Sequence, residues 1–189
     1  MHIVLAAAAL IDLVVFAPRM LDVRSGTIVK DRAVIIRDGR ITAVEEASFA
    51  LRLAAKERIT LPDDVTLLPG LIDAHTHLAW DGAKNEDAAR ATLMAGFTTV
   101  RNPGATKDAD LVLRKAIEEG RTPGPRMLIA RAGIGSKGGI CEQTFGEAGV
   151  ATPKEGRERV RKLIGDGADF IKICTGGGVI ASKAESETV

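Results

Sequence analysis

The chain has 189 residues, of which 46% are hydrophobic, and its 26 Lys and Arg nearly balance its 25 Asp and Glu. This composition is typical of a folded globular chain and excludes an intrinsically disordered one. The net charge of +1 and the 3% aromatic content give no basis for binding nucleic acid, either through phosphates or through stacked bases. A complete (β/α) barrel of eight units takes about 250 residues, so we expect part of such a fold at most.

The apolar amino-terminal residues and the two cysteines give evidence on the cellular compartment of the protein. Residues 3–11 resemble the core of a signal peptide, but no Lys or Arg precedes them and Asp12 interrupts the apolar run. Cys141 and Cys174 lie far apart in the sequence, so we expect free thiols in a reducing compartment and no disulfide framework. These features predict a cytoplasmic protein with no membrane span, and secretion is the alternative.

Residues 1–62 have the pattern of a small antiparallel sheet. Three β-branched runs are separated by turn residues, and Asp38-Gly39 between the second and third runs predicts a two-residue hairpin turn. The runs are 12–23, 27–39 and 40–46. Residues 47–55 are expected to form a short helical or irregular connector, and Pro62 marks the end of this domain.

Residues 63–189 alternate between strand and helix patterns, which predicts successive βαβ units around a parallel sheet. The predicted strands are 67–78, 98–102, 125–134 and 169–178. The predicted helices are 85–97, 108–120 and 152–167, with Asn85 and Thr152 as N-caps of the first and last. Four strands amount to half of an eight-unit barrel.

His75 and His77 form an HxH pair in the sequence DAHTHL. Side chains two positions apart in a strand point to the same face, so we expect both imidazoles together at the carboxyl end of the first parallel strand. Active sites of parallel α/β proteins lie at that end. Two neutral imidazoles would supply half of a tetrahedral Zn²⁺ site, and a hydrogen-bonded structural pair is the alternative.

Lys172 is an unusual residue for the interior of a strand. In the sequence FIKIC, Phe170, Lys172 and Cys174 share one face, and the two isoleucines share the face expected to pack against helices. An interior ammonium is costly unless it is paired, so one interpretation is a salt bridge to Asp73. The other is an amine of lowered pKa that takes up CO₂ and becomes a carbamate, an anionic ligand able to bridge two metal ions.

Three further residues are candidates for substrate binding. Arg101 ends the second parallel strand, where it would bind a substrate carboxylate or pair with an acidic side chain. Trp80 follows the two histidines and would form a pocket wall or a packing contact. Gly176 belongs to the TGGG loop, where the lack of side chains lets a ligand approach the backbone, although tight turns explain the glycines equally well.

Five motifs follow one another along nearly the whole chain: DGRITAV, LLPGLIDAHTHL, GFTTVRNPG, GRTPGPRMLIARAGI and GADFIKICTGGG. In order and spacing they resemble the amidohydrolase superfamily, and most of all its branch of imidazolonepropionase-like and Xaa-Pro-dipeptidase-like enzymes. The resemblance implies a small β-sandwich domain, built from both chain ends, beside a metal-bearing (β/α)₈ barrel. It also implies that His75 and His77 are the first metal ligands and that Lys172 is the carboxylated bridging lysine.

The function implied by the resemblance is metal-assisted hydrolysis of a C–N bond in a small amide, cyclic amide or dipeptide. One or two divalent ions, Zn²⁺ by default with Mn²⁺, Fe²⁺ or Co²⁺ as alternatives, would activate water and polarise the carbonyl. The family's two later histidines and late catalytic aspartate have no counterpart here, because the one remaining histidine is His2. The chain also reads Gly139-Ile140-Cys141 where many relatives have Gly-His-Gly, and Asn102 where Asp is common.

Two interpretations of the whole chain remain. In the first it is the amino-terminal half of a longer hydrolase. In the second it is a catalytically incomplete half-barrel without hydrolase activity, which acts as an assembly partner or is a degenerate product. A half-barrel has unpaired strand edges and an exposed apolar interior, so we expect it to pair with a missing carboxy-terminal half or with a second copy. The expected ligand is a small molecule, with no nucleic acid or membrane partner.

Overall fold

The computed structural model describes residues 10–80, 84–146 and 149–175. The chain divides into two compact units, Met1–Pro69 and Gly70–Val189. Within the described residues, no helix is both long enough and apolar enough to cross a membrane. The domain boundary after residue 62 stays a prediction.

The first unit is a four-stranded sheet. In chain order its strands are β1 (Ile11–Asp22), β2 (Thr27–Arg37), β3 (Arg40–Glu46) and β4 (Ala55–Thr60), with the helix α1 (Ala47–Ala50) before β4. The order across the sheet is β3-β2-β1-β4. The antiparallel pairs β1–β2 and β2–β3 are confirmed, but β1 pairs with β4 in parallel. The antiparallel sheet expected of the three predicted runs is therefore formed, and β4, a strand that was not predicted, joins it in parallel after α1.

The hairpin turn between β2 and β3 is confirmed. Asp38 and Gly39 have φ angles of 50° and 68°, the left-handed conformation that a two-residue type I′ turn requires. The N–H of Asp38 also donates a hydrogen bond to the carboxylate of Asp12, at 2.6 Å. The sheet and α1 enclose the apolar core of this unit, which consists of Ile11, Val14, Phe16, Ala33, Ile35 and Ala50.

The second unit alternates strands and helices around a parallel sheet, as the sequence pattern predicts. Its strands are β5 (Leu71–Asp73), β6 (Phe97–Asn102) and β7 (Arg126–Ile129), which lie side by side in that order and are all parallel. Its helices are α2 (Asn85–Met94), α3 (Ala109–Glu118), α4 (Ile140–Phe145) and α5 (Pro153–Gly165). The parallel arrangement places the carboxyl ends of β5, β6 and β7 at one edge of the sheet.

The first predicted parallel strand is shorter and more exposed than expected. It was predicted over 67–78 as a buried strand, but β5 spans only Leu71–Asp73, and Leu71 and Ile72 are 47% and 68% exposed. In the described part of the chain β5 pairs with β6 alone, so its other edge lies open. The buried core instead consists of Leu78, Ala79, Ala89, Val100, Ala105, Leu113, Met127 and Ile129.

The fourth predicted strand is present only as a single bridge. Ile173 pairs in parallel with Ile134, which follows β7 in the chain. The N–H of Ile134 donates to the carbonyl of Lys172, and the N–H of Cys174 donates to the carbonyl of Ile134, each at 2.8 Å. The end of the predicted strand, 176–178, lies outside the described residues.

The predicted N-cap is confirmed at α5 and wrong at α2. Thr152 accepts the N–H of Glu155 at 3.2 Å, and Pro153 is the first residue of α5. At α2 the N-cap residue is Lys84, and Asn85 is already helical. Asn85 is 6% exposed, so its side chain is buried in the unit instead of capping a solvated helix end.

A buried ion pair fixes the chain just after β7. Asp110, in the first turn of α3, is completely buried, and Arg131 is 6% exposed. The guanidinium of Arg131 donates to the carboxylate of Asp110, and its backbone N–H donates to the same carboxylate at 3.1 Å. The carbonyl of Arg131 accepts the N–H of Ala105 at 3.0 Å. These bonds join α3 to the segments that follow β6 and β7.

Candidate metal centre at the carboxyl edge of the parallel sheet

The candidate residues collect at the edge where the parallel strands end. His75 and His77 follow the last residue of β5 by two and four positions, and Arg101 is the penultimate residue of β6. Lys172 pairs through its carbonyl with Ile134, beyond the end of β7. The expected position of the histidines at the carboxyl end of the first parallel strand is therefore confirmed.

The backbone of the HTH segment is anchored by two hydrogen bonds. The N–H of His75 donates to the carboxylate of Asp73 at 3.0 Å, a local bond across one intervening residue. The N–H of Thr76 donates to the carbonyl of Arg101 on β6 at 2.9 Å. The segment that carries both imidazoles is thereby tied to its own strand and to the neighbouring one.

Asn102 organises the loops on both sides of His77. It is completely buried; its Oδ1 accepts the N–H of Ala79 at 3.4 Å and its Nδ2 donates to the carbonyl of Gly104 at 3.0 Å. An ionised carboxylate accepts hydrogen bonds but has none to donate, so an Asp at this position would lose the bond to Gly104. The amide of Asn102 can therefore bond both loops, whereas a carboxylate could bond only the loop of Ala79.

His77 is oriented by the same carbonyl. Its Nδ1 lies 3.3 Å from the carbonyl oxygen of Gly104. A carbonyl only accepts, so this bond requires the proton on Nδ1 and leaves the Nε2 lone pair free. Metal-bound histidines are commonly held in this way, with the second ring nitrogen donating to a carbonyl or carboxylate.

The pKa of His77 lies below its ordinary value of 6.5. Partial burial of the ring is the main cause, the positive charges of His75 and Lys172 add to it, and the bond to Gly104 opposes it. The imidazole of His77 is consequently neutral near pH 7, which is the form that binds a metal ion.

The imidazoles of His75 and His77 contact each other edge to face, and the ring of Trp80 contacts that of His77. The ring centres of His75 and His77 are 5.4 Å apart, and those of His77 and Trp80 are 5.0 Å apart, edge to face. Trp80 also contacts the ring of Phe145 on α4 at 5.7 Å. Trp80 is 42% exposed, so it borders the histidines and does not lie in the core.

Lys172 has no acidic partner among the described residues, and its charge is close enough to His77 to act on it. Its Cγ would lie 3.2 Å from a Cβ placed on Gly133. Among the described residues no ion pair joins Lys172 to Asp73, whose carboxylate accepts the N–H of His75 instead. The salt bridge to Asp73 that was one interpretation of Lys172 is therefore not formed.

Arg101 stacks on an aromatic ring at the same edge. Its guanidinium carbon lies 4.1 Å from the ring centre of Phe170, a cation–π contact, and the side chain is exposed. It forms no ion pair with an acidic side chain in the part of the chain that the structure describes. A role of Arg101 in substrate binding stays a prediction. Gly176, the remaining candidate, lies outside the described residues.

A profile described as the amidohydrolase family matches residues 66–189, well over half of the chain. The chain belongs to the amidohydrolase family. Among curated amidohydrolase relatives, the imidazolonepropionase of Idiomarina loihiensis is 31% identical over 116 residues, covering 56% of this chain and 28% of that protein. The imidazolonepropionase of Pyrobaculum arsenaticum is 29% identical over 121 residues, covering 57% and 31%.

Solved structures of amidohydrolases have the same fold over part of their length. A Xaa-Pro dipeptidase with methionine bound in its active site matches with a TM-score of 0.76 at 28% identity, covering 89% of this chain and 48% of that one. A prolidase complexed with N-methylphosphonate-L-proline matches with a TM-score of 0.70 at 27% identity, covering 92% and 48%. This amidohydrolase chain thus spans about half the length of these structures and less than a third of the curated relatives.

The donor groups fit part of a metal shell, as the amidohydrolase family leads one to expect. His75 and His77 present two imidazoles 5.4 Å apart, and the charge of Lys172 lies near enough to lower the pKa of His77. In residues 10–80, 84–146 and 149–175, no three His, Cys, Asp or Glu side chains cluster as a ligand set. The described residues therefore supply some of the ligands that a divalent ion needs, and their roles as ligands stay predictions.

Sequence reasoning missed a disulfide beside Lys172. Cys141 and Cys174 form a disulfide bond. Their Cα atoms are 6.0 Å apart, and the two residues are separated by 33 positions in the sequence. The expectation of two free thiols is therefore wrong. The error arose because α4 was unexpected: this short helix lies in a glycine-rich segment and carries Cys141 back to the chain after Lys172. The spacing of two distant cysteines holds no information about such a pairing.

Proposed function

We propose that this chain is the amino-terminal part of a metal-dependent hydrolase that cleaves the C–N bond of an amide, a cyclic amide or a dipeptide. Its fold would be the first half of a (β/α)₈ barrel preceded by part of a small β-sandwich. The parallel order of β5, β6 and β7 and the match to about half of each solved relative support this fold. The names of the relatives, imidazolonepropionase and Xaa-Pro dipeptidase, suggest the substrate classes.

One observation carries the proposal: His77, whose Nδ1 is held by the carbonyl of Gly104, lies beside His75 at the carboxyl edge of a parallel sheet. His75 and His77 would be the first metal ligands. A divalent ion held there, Zn²⁺ by preference, would lower the pKa of a water molecule and polarise the substrate carbonyl. The carbonyl of Gly104 keeps the His77 ring in the orientation that this binding needs.

Lys172 would contribute to the site as a carbamate. Its uncharged amine attacks CO₂, a C–N bond forms, and a proton leaves for solvent, so that a cation becomes an anionic oxygen ligand able to bridge two ions. The lack of an acidic partner among the described residues supports this use. The nearby positive charge that lowers the pKa of His77 would be removed by the same reaction.

Arg101 and Trp80 would contact the substrate, together with Gly176. The exposed guanidinium of Arg101 is fixed by Phe170 and suits a carboxylate, such as that of a dipeptide. Trp80 would form an apolar wall beside His77. We propose a protein that acts on small molecules and completes its site with a carboxy-terminal half or a second copy. The amino-terminal sequence favours a cytoplasmic location, whereas the Cys141–Cys174 disulfide favours the secreted alternative.

The second candidate is a half-barrel without hydrolase activity that serves as an assembly partner. It is favoured by the exposure of apolar side chains on β5, a strand that among the described residues pairs with β6 alone. The exposed Leu71 and Ile72 of β5 would then contact the partner.

A Zn²⁺ titration of the metal-free chain by calorimetry separates the two candidates. The hydrolase proposal predicts saturable binding that weakens more than about tenfold in the double variant His75→Asn, His77→Asn. The same samples, and the protein at its native length, would be assayed on Xaa-Pro dipeptides, N-acyl amino acids and cyclic amides. No saturable binding by the unsubstituted chain would favour the assembly partner.

A further inference from the structure

Helix α4 contacts the candidate site on its histidine side. The ring of Phe145, its last residue, lies against Trp80, which in turn lies against His77. A Cβ placed on Gly104 would lie 2.3 Å from the Phe145 ring, so the ring packs directly on the residue whose carbonyl orients His77. The opposite end of α4 carries Cys141.

The disulfide joins α4 to the lysine side of the site. Cys174 stands two positions after Lys172, and its partner is Cys141. A Cβ on Gly133 would lie 2.3 Å from the Sγ of Cys141 and 3.2 Å from the Cγ of Lys172. A Cβ on Gly135 would lie 3.2 Å and 3.5 Å from the Cβ atoms of Cys141 and Cys174. Two glycines therefore leave room for the disulfide, and the stem of Lys172 packs beside it.

The start of the segment that carries Lys172 is anchored at Asp169, whose carboxylate accepts from the N–H of Ile129 at 2.8 Å and from Arg114 at 2.9 Å, and at Phe170, which stacks on Arg101. Fewer bonds hold the part around Lys172 itself. Hydrogen bonds to Ile134 at Lys172 and Cys174 form the isolated bridge, and Asp169 donates its N–H to the carbonyl of Ile129 at 2.8 Å. No extended ladder is present in the described residues here, so a covalent bond to α4 makes a large contribution to the position of this segment.

We propose that the Cys141–Cys174 disulfide is a redox-sensitive clamp that positions Lys172 beside His75 and His77. The metal role of Lys172 in this inference rests on the proposed function. A dithiol reductant opens the clamp: its thiolate attacks the half-buried Cys174, the S–S bond breaks, and a mixed disulfide forms. Its second thiol then releases Cys174, leaving two cysteine thiols and a cyclic disulfide of the reductant. Cys141, Cys174 and Phe145 are thus positioning residues, and none of them is a metal ligand.

The test measures the reactivity of Lys172 relative to Lys115 with limiting acetic anhydride in bicarbonate-free buffer, read by peptide mass spectrometry. Lys115 is the internal reference because its side chain on α3 is 72% exposed. We expect dithiothreitol to raise the ratio of Lys172 to Lys115 by about fivefold, because the released segment opens locally. Reoxidation with oxidised glutathione should restore the original ratio.

The double variant Cys141→Ser, Cys174→Ser is the matched control. It should show the raised ratio without reductant and no response to dithiothreitol or glutathione, while its far-UV circular dichroism stays that of the folded chain. If the disulfide only stabilised the fold as a whole, its loss would change the acetylation of Lys172 and Lys115 by the same factor, and their ratio would stay constant. A ratio that changes less than about twofold on reduction of the unsubstituted chain would overturn the clamp, as would free thiols in the oxidised chain.

Zn²⁺ titration of the oxidised chain and of the double variant Cys141→Ser, Cys174→Ser separates the clamp from the proposed function, because free cysteine thiols and dithiothreitol would themselves bind Zn²⁺. Weaker Zn²⁺ binding in the double variant, together with the raised lysine ratio, supports both. Absence of Zn²⁺ binding in the oxidised chain contradicts the proposed function, whereas the lysine ratio decides the clamp on its own. An unchanged ratio contradicts the clamp even if Zn²⁺ binds.

Discussion

Each of the two units is stabilised internally by a different kind of bond. In the first unit, β1 pairs with β2 from Leu13–Ile36 to Asp22–Thr27 with one gap at Pro18, and β4 pairs along its other edge. In the second unit β5 is three residues long, and the fourth predicted strand is one isolated bridge. The loops that carry the candidate site are instead tied by individual buried side chains and one disulfide. A ladder distributes stability over many backbone bonds, so single substitutions should affect the site edge more than the first sheet.

The largest effect is expected from Asp110→Ala, which removes the buried carboxylate that accepts from both the guanidinium and the backbone N–H of Arg131, and leaves the guanidinium its bond to the exposed Asp108. We expect the free energy of unfolding to fall by about 3–5 kcal/mol. Urea unfolding followed by fluorescence reports on this unit, because Trp80 is the single tryptophan of the chain. The control is Glu119→Ala, which removes a surface partner of Arg121 and should shift the midpoint little. Equal shifts in the two variants would remove the distinction between buried tethers and surface pairs.

Removal of the disulfide by the double variant Cys141→Ser, Cys174→Ser should cost about 3–4 kcal/mol, because the crosslink closes a loop of intermediate length. The cysteines are 33 positions apart in the chain. Urea unfolding with and without dithiothreitol checks this prediction. The reductant should destabilise the unsubstituted chain and leave the variant unchanged; the same response in both would contradict it.

Asn102→Ala should have an intermediate effect on folding and a second effect on metal binding. Loss of a buried amide that bonds Ala79 and Gly104 is expected to cost about 2 kcal/mol. Since Gly104 orients His77, Zn²⁺ affinity should also fall about tenfold or more. Calorimetry at a temperature where the variant is folded measures the second effect. Unchanged Zn²⁺ affinity would show that the loop after β6 does not orient His77.

Gly39→Ala tests the first unit at a position whose backbone conformation favours glycine. A Cβ there meets nothing within 4 Å, but the φ of 68° is unfavourable for alanine. We expect a loss of about 1 kcal/mol, measured by far-UV circular dichroism in urea. Zn²⁺ affinity should be unchanged. A loss as large as that of Asp110→Ala would contradict the view that ladders buffer this unit.

The pH dependence of His77 gives the smallest effect. Burial lowers its pKa in the folded chain, so we expect its imidazole signals to titrate by nuclear magnetic resonance with a midpoint below 6.5. As the pH falls through 6.5, the imidazole takes up a proton in the unfolded chain before it does so in the folded one. The contribution of His77 to the free energy of unfolding is therefore present at neutral pH and is lost in acid. Zn²⁺ binding should weaken in the same direction, and the variant His77→Gln should lose this signal. A midpoint above 6.5 would contradict the burial of the ring.

Local patterns were sufficient for much of the fold. Asp38-Gly39 predicted its turn because only a few residues accept the left-handed conformation, and Thr152-Pro153 predicted the start of α5 through capping chemistry. The imidazoles of His75 and His77 lie together as expected, although both residues follow the end of β5 and are not within a strand. These features depend on residues close together in the sequence.

Features that depend on distant residues were missed. The parallel pairing of β4 with β1 is decided by the route of the intervening chain, which strand propensity does not record. The Cys141–Cys174 bond and the contact of Phe145 with Trp80 both required α4, whose six residues lie in a glycine-rich stretch with no clear helical period. The capping role of Asn85 failed because burial of its side chain took precedence over a local preference.

X-ray absorption at the zinc edge, on the chain loaded with one equivalent of Zn²⁺, tests the central claim most directly. We predict scattering from two imidazoles at about 2.0–2.1 Å and its loss in the double variant His75→Asn, His77→Asn. A zinc shell without imidazole in the unsubstituted chain, or one that the double variant leaves unchanged, would contradict the assignment of the carboxyl edge of this sheet as a metal centre.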